Sequence, residues 1–491
     1  MPLNLADLFF HKANEQPNRP LIYGQLSGQH PQRVTTYSEF ADRVRMLTGA
    51  MRDAGVESGD NVGLLHRSGG DYIAFVYAIW SCGACVTPLP SELTSAEKKQ
   101  ILENIHLDSI IAAKPLVDGI RGAIDTDLAE LPHNTVLAKV SVPCPAPPEL
   151  ATVNAAFIRF TSGTTGAAKG VVLSHESVYE RIRAANEVLS IGGTDNVVWL
   201  LSMDYHFTVS VVAYLTYGAG IILPKNSFGE TVLTAALQHD ATIIYASPLH
   251  YSFMVQDETG TPLPGGLRFA IVTTTALRSE VADAFYERFG RTLNETYGII
   301  ELGLPAINVS QSRAKQGSVG KITPGYELRL LRQPGEDQGE ILLRCDGMLD
   351  AYYLPWKPRD EILSEGNGWF RTGDAGRLDP DGYLYIVGRV KEMISVGGMK
   401  FFPEEVESVL ESHPAVEKAV VFRVEQRHWG ESAEAQLVRR DGQPAPDESQ
   451  LRSWCAKYLA DHKIPGRFEW TERLNYTASG KKIRNRERVL Q

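Results

Sequence analysis

Apolar residues recur along the first 140 residues at spacings that alternate between those of a helix and those of a strand. The spacing predicts helices over 5–13, 36–54, 71–81 and 95–104, with strands over 61–66, 84–88 and 109–112. The same alternation resumes after residue 175 and continues to about residue 289. Such alternation is typical of the α/β fold class.

The pattern of apolar and turn-forming residues changes twice beyond that point. Between about residues 317 and 388, short apolar runs are separated by Gly, Asp and Pro turns, which predicts a small β-rich subdomain. At Pro403 a helix begins with Glu404 and Glu405 in its first turn, and strands and a further helix follow. We therefore expect a large N-terminal domain of α/β subdomains plus the β-rich subdomain over residues 1–388, followed by a small mobile α+β C-terminal domain over residues 392–491.

Composition narrows the class of protein. Of the 491 residues 43% are apolar and 22% are charged, and the net charge is −10, which suits a globular enzyme and argues against a general nucleic-acid binder. The N-terminus has no apolar signal region, and residues 208–224 are too short and too interrupted to span a membrane. A cytoplasmic protein without a nucleic-acid partner or membrane insertion is expected. The five cysteines form no disulfide framework, and Cys82 and Cys85 are interpreted as small buried residues.

The stretch FIRFTSGTTGAAKGVVLSH, residues 157–175, places a loop rich in glycine and hydroxyl groups between two apolar strands. Its glycines let backbone N–H groups approach an anion, while its hydroxyls and Lys169 supply hydrogen bonds and positive charge. This combination predicts a polyphosphate site. A Walker A loop is excluded because Gly170 follows Lys169 where that motif needs Ser or Thr, and a plain hairpin between two strands stays the alternative.

Four further stretches follow in order: NETYGIIELG at 294–303, GEILLRCDG at 339–347, GWFRTGDAGRLDPDGYLYIVGRVKEMISVGG at 368–398 and ASGKKIR at 478–484. Together with the loop at 157–175, they resemble the motifs of the acyl-adenylate-forming superfamily, which contains acyl- and aryl-CoA ligases, adenylation domains of peptide synthetases and firefly luciferase. The resemblance is to its stand-alone acid–thiol ligases and covers residues 35–484. It implies that a carboxylate attacks the α-phosphate of ATP, giving acyl-AMP and pyrophosphate, and that the acyl group then passes to a thiol.

The resemblance implies a role for each matching residue. Lys481 matches the lysine that bridges the carboxylate and the α-phosphate, with Lys482 as a weaker candidate, and Glu301 matches the ligand of Mg²⁺. Asp374 matches the carboxylate that binds both ribose hydroxyls, and Arg389 matches its partner. The residues implied to bind ATP or AMP are Thr161, Ser162, Gly163, Thr164, Thr165, Gly166, Lys169, Thr275, Glu295, Thr296, Tyr297, Gly298, Asp374 and Arg389.

Residues 389–391 match the family's hinge, where Lys391 lets the C-terminal domain rotate between an adenylating and a thioester-forming pose. Three positions depart from the family's pattern. Ile300 replaces a threonine that bonds the α-phosphate in most relatives, Ala168 replaces a common proline, and TTTAL at 273–277 replaces a Gly-rich loop beside the adenine. The departures imply a lost phosphate contact, a freer phosphate loop and a bulkier, hydroxylated wall beside the adenine.

The acyl site lacks one feature of the amino-acid-activating relatives. Residues 207–210 read Phe-Thr-Val-Ser where those relatives carry an aspartate for the substrate ammonium. A threonine cannot offset a buried ammonium charge, so a free α-amino acid is disfavoured, with Asp204 as the nearest carboxylate. His206 matches the gate beside the nucleophile tunnel, although a lone histidine is more often structural. The acyl pocket is expected to contain His206, Phe207, Tyr245, Ser247 and Gly298.

We therefore expect an ATP- and Mg²⁺-dependent ligase that activates a small aryl or acyl carboxylate, as a monomer or a homodimer. Its catalytic residues are expected to be Lys481, His206 and Glu301. The acceptor is expected to be coenzyme A or the phosphopantetheine of an acyl carrier protein. Two alternatives stay open: an amide-bond synthetase that passes the acyl group to an amine, and a non-catalytic AMP- or ATP-binding regulator, favoured only by Ile300 and the altered adenine loop.

Overall fold

A computed structural model describes residues 2–24, 26, 33–141, 144–161, 169–396, 399–426, 430–476 and 482–484. Within these residues the helices are α1 (Leu5–Glu15), α2 (Tyr37–Asp53), α3 (Gly70–Cys82), α4 (Ser95–Asn104), α5 (His175–Leu189), α6 (Met203–His206), α7 (Val211–Tyr217), α8 (Gly229–Gln238), α9 (Pro248–Gln256), α10 (Ser279–Phe289), α11 (Arg359–Ser364), α12 (Pro403–Glu411) and α13 (Glu448–Cys455). The predicted helices thus form within a few residues of the expected positions.

The strands of the same ranges are β1 (Pro20–Tyr23), β2 (Val34–Thr36), β3 (Asn61–Leu65), β4 (Cys85–Pro88), β5 (Ser109–Ala113), β6 (Ile124–Leu131), β7 (Thr135–Val140), β8 (Ala155–Thr161), β9 (Lys169–Ser174), β10 (Asn196–Trp199), β11 (Gly220–Ile222), β12 (Ile243–Ala246), β13 (Phe269–Val272), β14 (Asn294–Ile299), β15 (Gly303–Ile307), β16 (Lys321–Ile322), β17 (Tyr326–Leu331), β18 (Gln338–Cys345), β19 (Ala351–Tyr352), β20 (Lys357–Pro358), β21 (Phe370–Leu378), β22 (Leu384–Arg389), β23 (Ile394–Val396), β24 (Met399–Phe401), β25 (Val416–Gln426), β26 (Gly430–Arg439) and β27 (Arg467–Thr471).

The chain divides into two compact units. The first consists of Met1–Glu327 with Arg344–Phe370, and the second consists of Leu328–Leu343 with Arg371–Gln491. The expected class, mixed α/β with a large N-terminal part and a small C-terminal part, is confirmed. The β-rich subdomain predicted before residue 388 is divided between the units, and residues 328–343 and 371–388 belong to the second unit. The division into compact units does not test whether residues 389–391 act as a hinge. The hinge therefore stays a prediction.

Two nine-stranded sheets make up the first unit. One has the order β16-β15-β14-β13-β12-β10-β11-β1-β2, and its strands from β14 to β1 run parallel. The other has the order β20-β19-β9-β8-β4-β3-β5-β7-β6, and the glycine-rich stretch joins its antiparallel strands β8 and β9. The loops that follow the parallel strands of the first sheet consequently open on one edge, where open α/β folds bind ligands.

Helix α3 shows why the apolar pattern near residue 75 is continuous and not periodic. All but one of its residues are buried, so it has no solvent face that would require polar side chains. Cys82 and Cys85, at its end and on the next strand, are free and buried, which confirms their interpretation as small buried residues. Burial raises the pKa of both thiols, which disfavours the reactive thiolate.

The second unit contains two sheets. The first has the order β17-β18-β21-β22, and the second has the order β24-β23-β26-β25 with β27 beside β26. Helices α12 and α13 cover the second sheet through a core that includes Leu410, Val421, Leu437 and Leu451. Within the described part of both units, no helix has the length and the apolar run needed to cross a membrane.

Candidate active site

The predicted nucleoside and acyl residues lie near the carboxyl ends of neighbouring parallel strands. Tyr245 is close to the end of β12, Thr275 follows β13, and Tyr297 is on β14 beside β13. Because parallel strands end at a common edge, the sheet brings together side chains that belong to separate motifs. The structure thus places the predicted adenine wall next to the predicted acyl wall.

Strand β14 carries four of the predicted nucleotide residues: Glu295, Thr296, Tyr297 and Gly298. Tyr297 is 8% exposed, and the Thr296 hydroxyl donates to the Val272 carbonyl over 3.3 Å. The Glu295 carboxylate accepts from the Gly317 N–H over 2.7 Å, and burial raises the pKa of Glu295 to about 7. Glu295 also faces a cavity of about 260 Å³ that is lined by Leu277, Ser279, Ala282, Asp283, Arg313, Gln316 and Gly317.

The loop that replaces the family's glycine-rich adenine border contains an unusual backbone. Thr274 has φ of +84°, a region in which the β-branched threonine is sterically strained. Thr275, the predicted nucleotide residue, is exposed and does not share this conformation. The altered TTTAL sequence therefore keeps a glycine-like backbone at the cost of strain.

Glu301, the predicted magnesium ligand, is fixed by hydrogen bonds to its backbone carbonyl and to its carboxylate. Its carbonyl accepts from the Leu349 N–H over 2.7 Å and from Arg181 Nη2 over 3.4 Å, and its Oε1 accepts from the Tyr352 hydroxyl over 3.0 Å. Arg181, on α5, also donates to the carbonyls of Ile300 and Gly347. These bonds fix the turn after β14 against the helix that follows β9.

The residues present fit a magnesium ion bound mainly by substrate. Among the described residues no group of three His, Cys, Asp or Glu side chains could hold a metal ion alone. Mg²⁺ at nucleotide sites normally takes one or two protein carboxylates and completes its coordination with phosphates and water. Glu301, with one carboxylate oxygen hydrogen-bonded to Tyr352, can supply that single carboxylate.

The predicted ribose pair is formed within the second unit. Asp374 on β21 lies opposite Arg389 on β22, and Arg389 Nε is 2.7 Å from Asp374 Oδ1. The Asp374 N–H donates to the Thr372 hydroxyl over 3.0 Å, so the backbone that carries the carboxylate is fixed as well. Lys391, two residues further, is exposed in a short 3-10 turn over Val390–Glu392.

Most of the predicted phosphate loop lies outside the described residues. Ser162, Gly163, Thr164, Thr165 and Gly166 belong to that part, as does Lys481. Thr161 and Lys169 are paired with each other at the ends of β8 and β9. The described structure therefore brackets the loop with two paired strands, and the roles of its residues stay predictions.

Lys482, the weaker candidate for the catalytic lysine, is a structural anchor. Its ammonium lies 2.9 Å from Glu407 Oε2, 2.9 Å from Glu411 Oε1 and 2.7 Å from the Ala419 carbonyl oxygen. Burial lowers the pKa of Lys482, but the two carboxylates more than offset this and raise it above its usual value. Arg484 adds ion pairs with Glu407, Glu404 and Glu392.

His206 lies at the end of α6 with two aromatic partners. Its ring centroid is 6.4 Å from that of Trp199 and 6.3 Å from that of Tyr245, and Trp199 stacks on Tyr245 at 5.1 Å. Burial, followed by the positive charge of Arg159, lowers the pKa of His206 to about 3. The imidazole is therefore neutral at physiological pH.

The other predicted acyl residues have contacts of their own. Phe207 is 1% exposed and packs on Phe157, Trp80, Tyr72 and Tyr77, which are core contacts. Ser247 caps α9, and its hydroxyl is 2.7 Å from His250 Nδ1. A Cβ at Gly298 would lie 3.1 Å from Leu304 Cδ2, so little room exists for a side chain there. Their contact with an acyl group stays a prediction.

Four residues around the site were missed by the sequence analysis: Arg159, Arg181, Trp199 and Tyr352. Arg159 offered a signal, because a charged residue inside the apolar run FIRF is unusual for a buried strand. The other three stand in ordinary helix or strand contexts, and only the tertiary fold brings them to Glu301 or His206.

Comparison with known proteins agrees with this arrangement. The family model described as AMP-binding enzyme matches residues 9–353, and the model of the AMP-binding enzyme C-terminal domain matches residues 405–481. The chain belongs to the AMP-binding enzyme family. Its predicted resemblance to the acyl-adenylate-forming superfamily is thereby confirmed.

Relatives of this AMP-binding enzyme include a sulfoacetate–CoA ligase from Cupriavidus necator, 28% identical over 97% of the chain and 96% of the relative. A 2-succinylbenzoate–CoA ligase from Geobacillus kaustophilus is 29% identical over 92% of each chain. Two solved structures share the fold. The o-succinylbenzoate CoA synthetase of Bacillus subtilis with its acyl-adenylate has a TM-score of 0.81 at 24% identity, over 99% of this chain and 98% of that one. An amide bond synthetase of Marinactinospora thermotolerans has a TM-score of 0.82 at 21% identity, over 99% of each chain.

Substitution of each of the two neighbouring lysines of this AMP-binding enzyme should distinguish a catalytic role from a structural one. Lys482→Ala removes the ammonium partner of the buried Glu411 and one of the two cationic partners of Glu407, so we expect the free energy of unfolding to fall by about 3 kcal/mol. Lys481→Ala is the matched control, and we expect it to change stability by less than about 0.5 kcal/mol while abolishing acyl-AMP formation. Chemical denaturation and pyrophosphate exchange measure the two effects. Equal loss of adenylation and of thioester formation from synthetic acyl-AMP in Lys481→Ala would contradict the assignment.

The strained loop of this AMP-binding enzyme allows a second test. We expect Thr274→Gly to raise the free energy of unfolding by about 1 kcal/mol, since relief of strain outweighs the backbone entropy of glycine. Thr275→Gly, one residue later with an ordinary backbone, should lower it by about 0.5–1 kcal/mol. Denaturant titration compares the variants, and a loss of stability in both would show that Thr274 is unstrained.

Proposed function

We propose that this protein is a cytoplasmic, ATP- and Mg²⁺-dependent ligase that converts a carboxylic acid other than an amino acid into acyl-AMP and then into a coenzyme A thioester. The observation that carries the proposal is the fixed position of Glu301, held through its carbonyl by Arg181 and through its carboxylate by Tyr352. A rigid carboxylate next to a predicted adenine wall is the geometry that a magnesium nucleotide requires. Relatives named as CoA ligases over nearly their whole length support the reaction type.

In this proposal each part of the chain contributes one function. The loop of residues 161–169 holds the β- and γ-phosphates, and Asp374 accepts hydrogen bonds from the ribose hydroxyls. Lys481 bridges the carboxylate and the α-phosphate, where it offsets the charge that develops during in-line attack. Bound magnesium neutralises phosphate charge, and Glu301 orients the magnesium nucleotide.

The residues of the predicted acyl pocket favour a small carboxylic acid over an amino acid as the substrate. Residues Phe207 to Ser210 provide no carboxylate for an ammonium group, and Asp204 is 2% exposed with a pKa that burial raises to about 7. A half-protonated carboxyl offsets an ammonium charge poorly. The neutral His206 and the Trp199–Tyr245 stack offer an aromatic surface at the predicted gate.

Two other acceptors are weaker candidates. Transfer to an acyl carrier protein would use the same pantetheine thiol as coenzyme A, so it shares every residue of the proposal. Transfer to an amine has the fold likeness to an amide bond synthetase as its support. Fold likeness at 21% identity does not specify an acceptor, and the relatives that match by sequence carry CoA-ligase names.

The reaction can be tested by acid-dependent exchange between ATP and labelled pyrophosphate. We expect exchange with at least one aryl or short aliphatic acid, no exchange without acid, and loss of exchange on removal of magnesium. Product mass with coenzyme A, holo-carrier protein or an amine then identifies the acceptor. Absence of exchange with every acid would favour the non-catalytic, nucleotide-binding alternative.

The predicted hinge has a separate test. Lys391→Pro restricts backbone rotation at an exposed turn, so we expect it to slow thioester formation from acyl-AMP at least tenfold while pyrophosphate exchange changes less than about twofold. Lys391→Ala, which keeps the rotation, should resemble the native enzyme. Rapid-mixing measurements of each half-reaction give the rates. A greater loss in exchange than in thioester formation would contradict rotation at this residue.

A further inference from the structure

Arg159 is a cation at the acyl side of the site. It lies on β8 opposite Val171, between the buried core residue Ile158 and the phosphate loop. Its Nη1 donates to the Tyr205 carbonyl over 2.8 Å, and its guanidinium carbon is 4.7 Å from the centroid of the Tyr205 ring. Because Tyr205 directly precedes His206, these contacts place the guanidinium beside the predicted gate.

Among the described residues, Arg159 forms no ion pair, although the carboxylate of Glu301 lies close enough to interact with its charge. Its Nε is buried and has no hydrogen-bond partner, and within the described residues it forms no ion pair with a carboxylate. Burial lowers its pKa to about 10, so the group still carries its charge at pH 7. A partly buried cation without a counter-ion costs free energy, part of which a bound anion would recover.

Four other arginines of the first unit, which are buried or partly buried, show the contrast. Arg43 is paired with Asp71, and Arg268 and Arg288 are paired with Asp195 and Asp257 over 2.8 Å and 2.7 Å. Arg181, the most deeply buried, donates to three backbone carbonyls. Within the described residues, Arg159 has no carboxylate partner and donates to a single backbone carbonyl, that of Tyr205, so it is the least compensated of these five side chains.

Asp204 does not supply the missing charge. It lies close enough to Arg159 to influence its pKa, but it forms no ion pair with it, and its Oδ1 is buried without a hydrogen-bond partner among the described residues. Burial, with the charge of Glu92, raises the pKa of Asp204 to about 7. The carboxyl is therefore partly protonated at neutral pH, which weakens its attraction for Arg159.

The groups around Arg159 favour a substrate acid over a phosphate as its anion. The guanidinium contacts Tyr205, and its charge reaches His206, which packs on Trp199 and Tyr245. Trp199 Nε1 is also buried and has no acceptor among the described residues, so the same cluster contains a second polar group without a partner there. An anionic acyl substituent could accept from the guanidinium and lie against these rings.

We propose that Arg159 binds a second anionic group on the carboxylic acid that this enzyme activates, so that its preferred substrates carry a further carboxylate or sulfonate. The inference rests on the proposed adenylation of a carboxylic acid and specifies its substrate class. A guanidinium suits either oxyanion because it presents N–H donors in a planar fork. Arg159 is then a specificity residue for the acyl group.

The test uses pairs of acids in which a neutral group of similar size replaces the second anionic group: succinate and monomethyl succinate, isophthalate and 3-acetylbenzoate, sulfoacetate and methylsulfonylacetate. Pyrophosphate exchange gives kcat/KM for each acid. We expect the native enzyme to prefer the charged member of at least one pair by about 10- to 100-fold. In Arg159→Met that preference should disappear, with an unchanged KM for ATP, and Arg159→Lys should retain part of it. Arg183→Met, at an exposed ion-paired site on α5, is the matched control.

Each outcome decides between distinct conclusions. Preference for the uncharged member of every pair leaves the ligase function intact and overturns the role of Arg159. Equal losses for both members in Arg159→Met, or a raised KM for ATP in that variant, would assign the residue to packing or to phosphate binding. Exchange with no acid at all overturns the ligase function itself. If Arg159→Met does not fold, the preferences of the native enzyme and of Arg159→Lys decide the question.

Discussion

The arrangement of the site depends on one buried guanidinium. Arg181 extends from α5, the helix that begins directly after the second strand of the phosphate-loop hairpin, and donates to the carbonyls of Ile300, Glu301 and Gly347. Three chain segments distant in sequence are thereby held at a common point. Because burial excludes water as an alternative donor, loss of this side chain would leave the carbonyls of Ile300 and Gly347 to be satisfied elsewhere. The turn that carries Glu301 consequently has a fixed position relative to the start of α5.

The second unit contains a comparable set of buried polar contacts. Lys482 and Arg484 are held by Glu404, Glu407 and Glu411 of α12, so the segment next to Lys481 is attached to a helix by charge-assisted hydrogen bonds. Charge pairs of this kind contribute little net free energy when buried, but their loss is costly and their geometry is specific. Both units thus use buried ion or carbonyl contacts to fix a segment that carries or adjoins a predicted functional residue, and the hydrophobic cores supply stability.

The sequence predicted the helices and strands well where apolar periodicity was strong, as in α2, α4 and α10. It missed the β6–β7 hairpin, because β6 is an edge strand with mostly exposed polar residues and carries no clear alternation. Motif order predicted Glu301, Tyr297 and the Asp374–Arg389 pair, since each matches one position of a family pattern. It could not predict the contacts of Arg181, Tyr352 or Trp199, which depend on packing between segments far apart in the chain. Lys482 shows the same limit, because nothing in the run KKIR distinguishes a catalytic lysine from an anchoring one.

The central claim is that a carboxylate oxygen attacks the α-phosphate of ATP. Turnover of an acid labelled with ¹⁸O in both carboxylate oxygens, in the presence of coenzyme A and magnesium, tests this directly by mass spectrometry of the nucleotide product. Attack at the α-phosphate followed by acyl transfer leaves one ¹⁸O atom in AMP and none in pyrophosphate. Formation of ADP with ¹⁸O in inorganic phosphate would show attack at the γ-phosphate instead, and it would contradict the account.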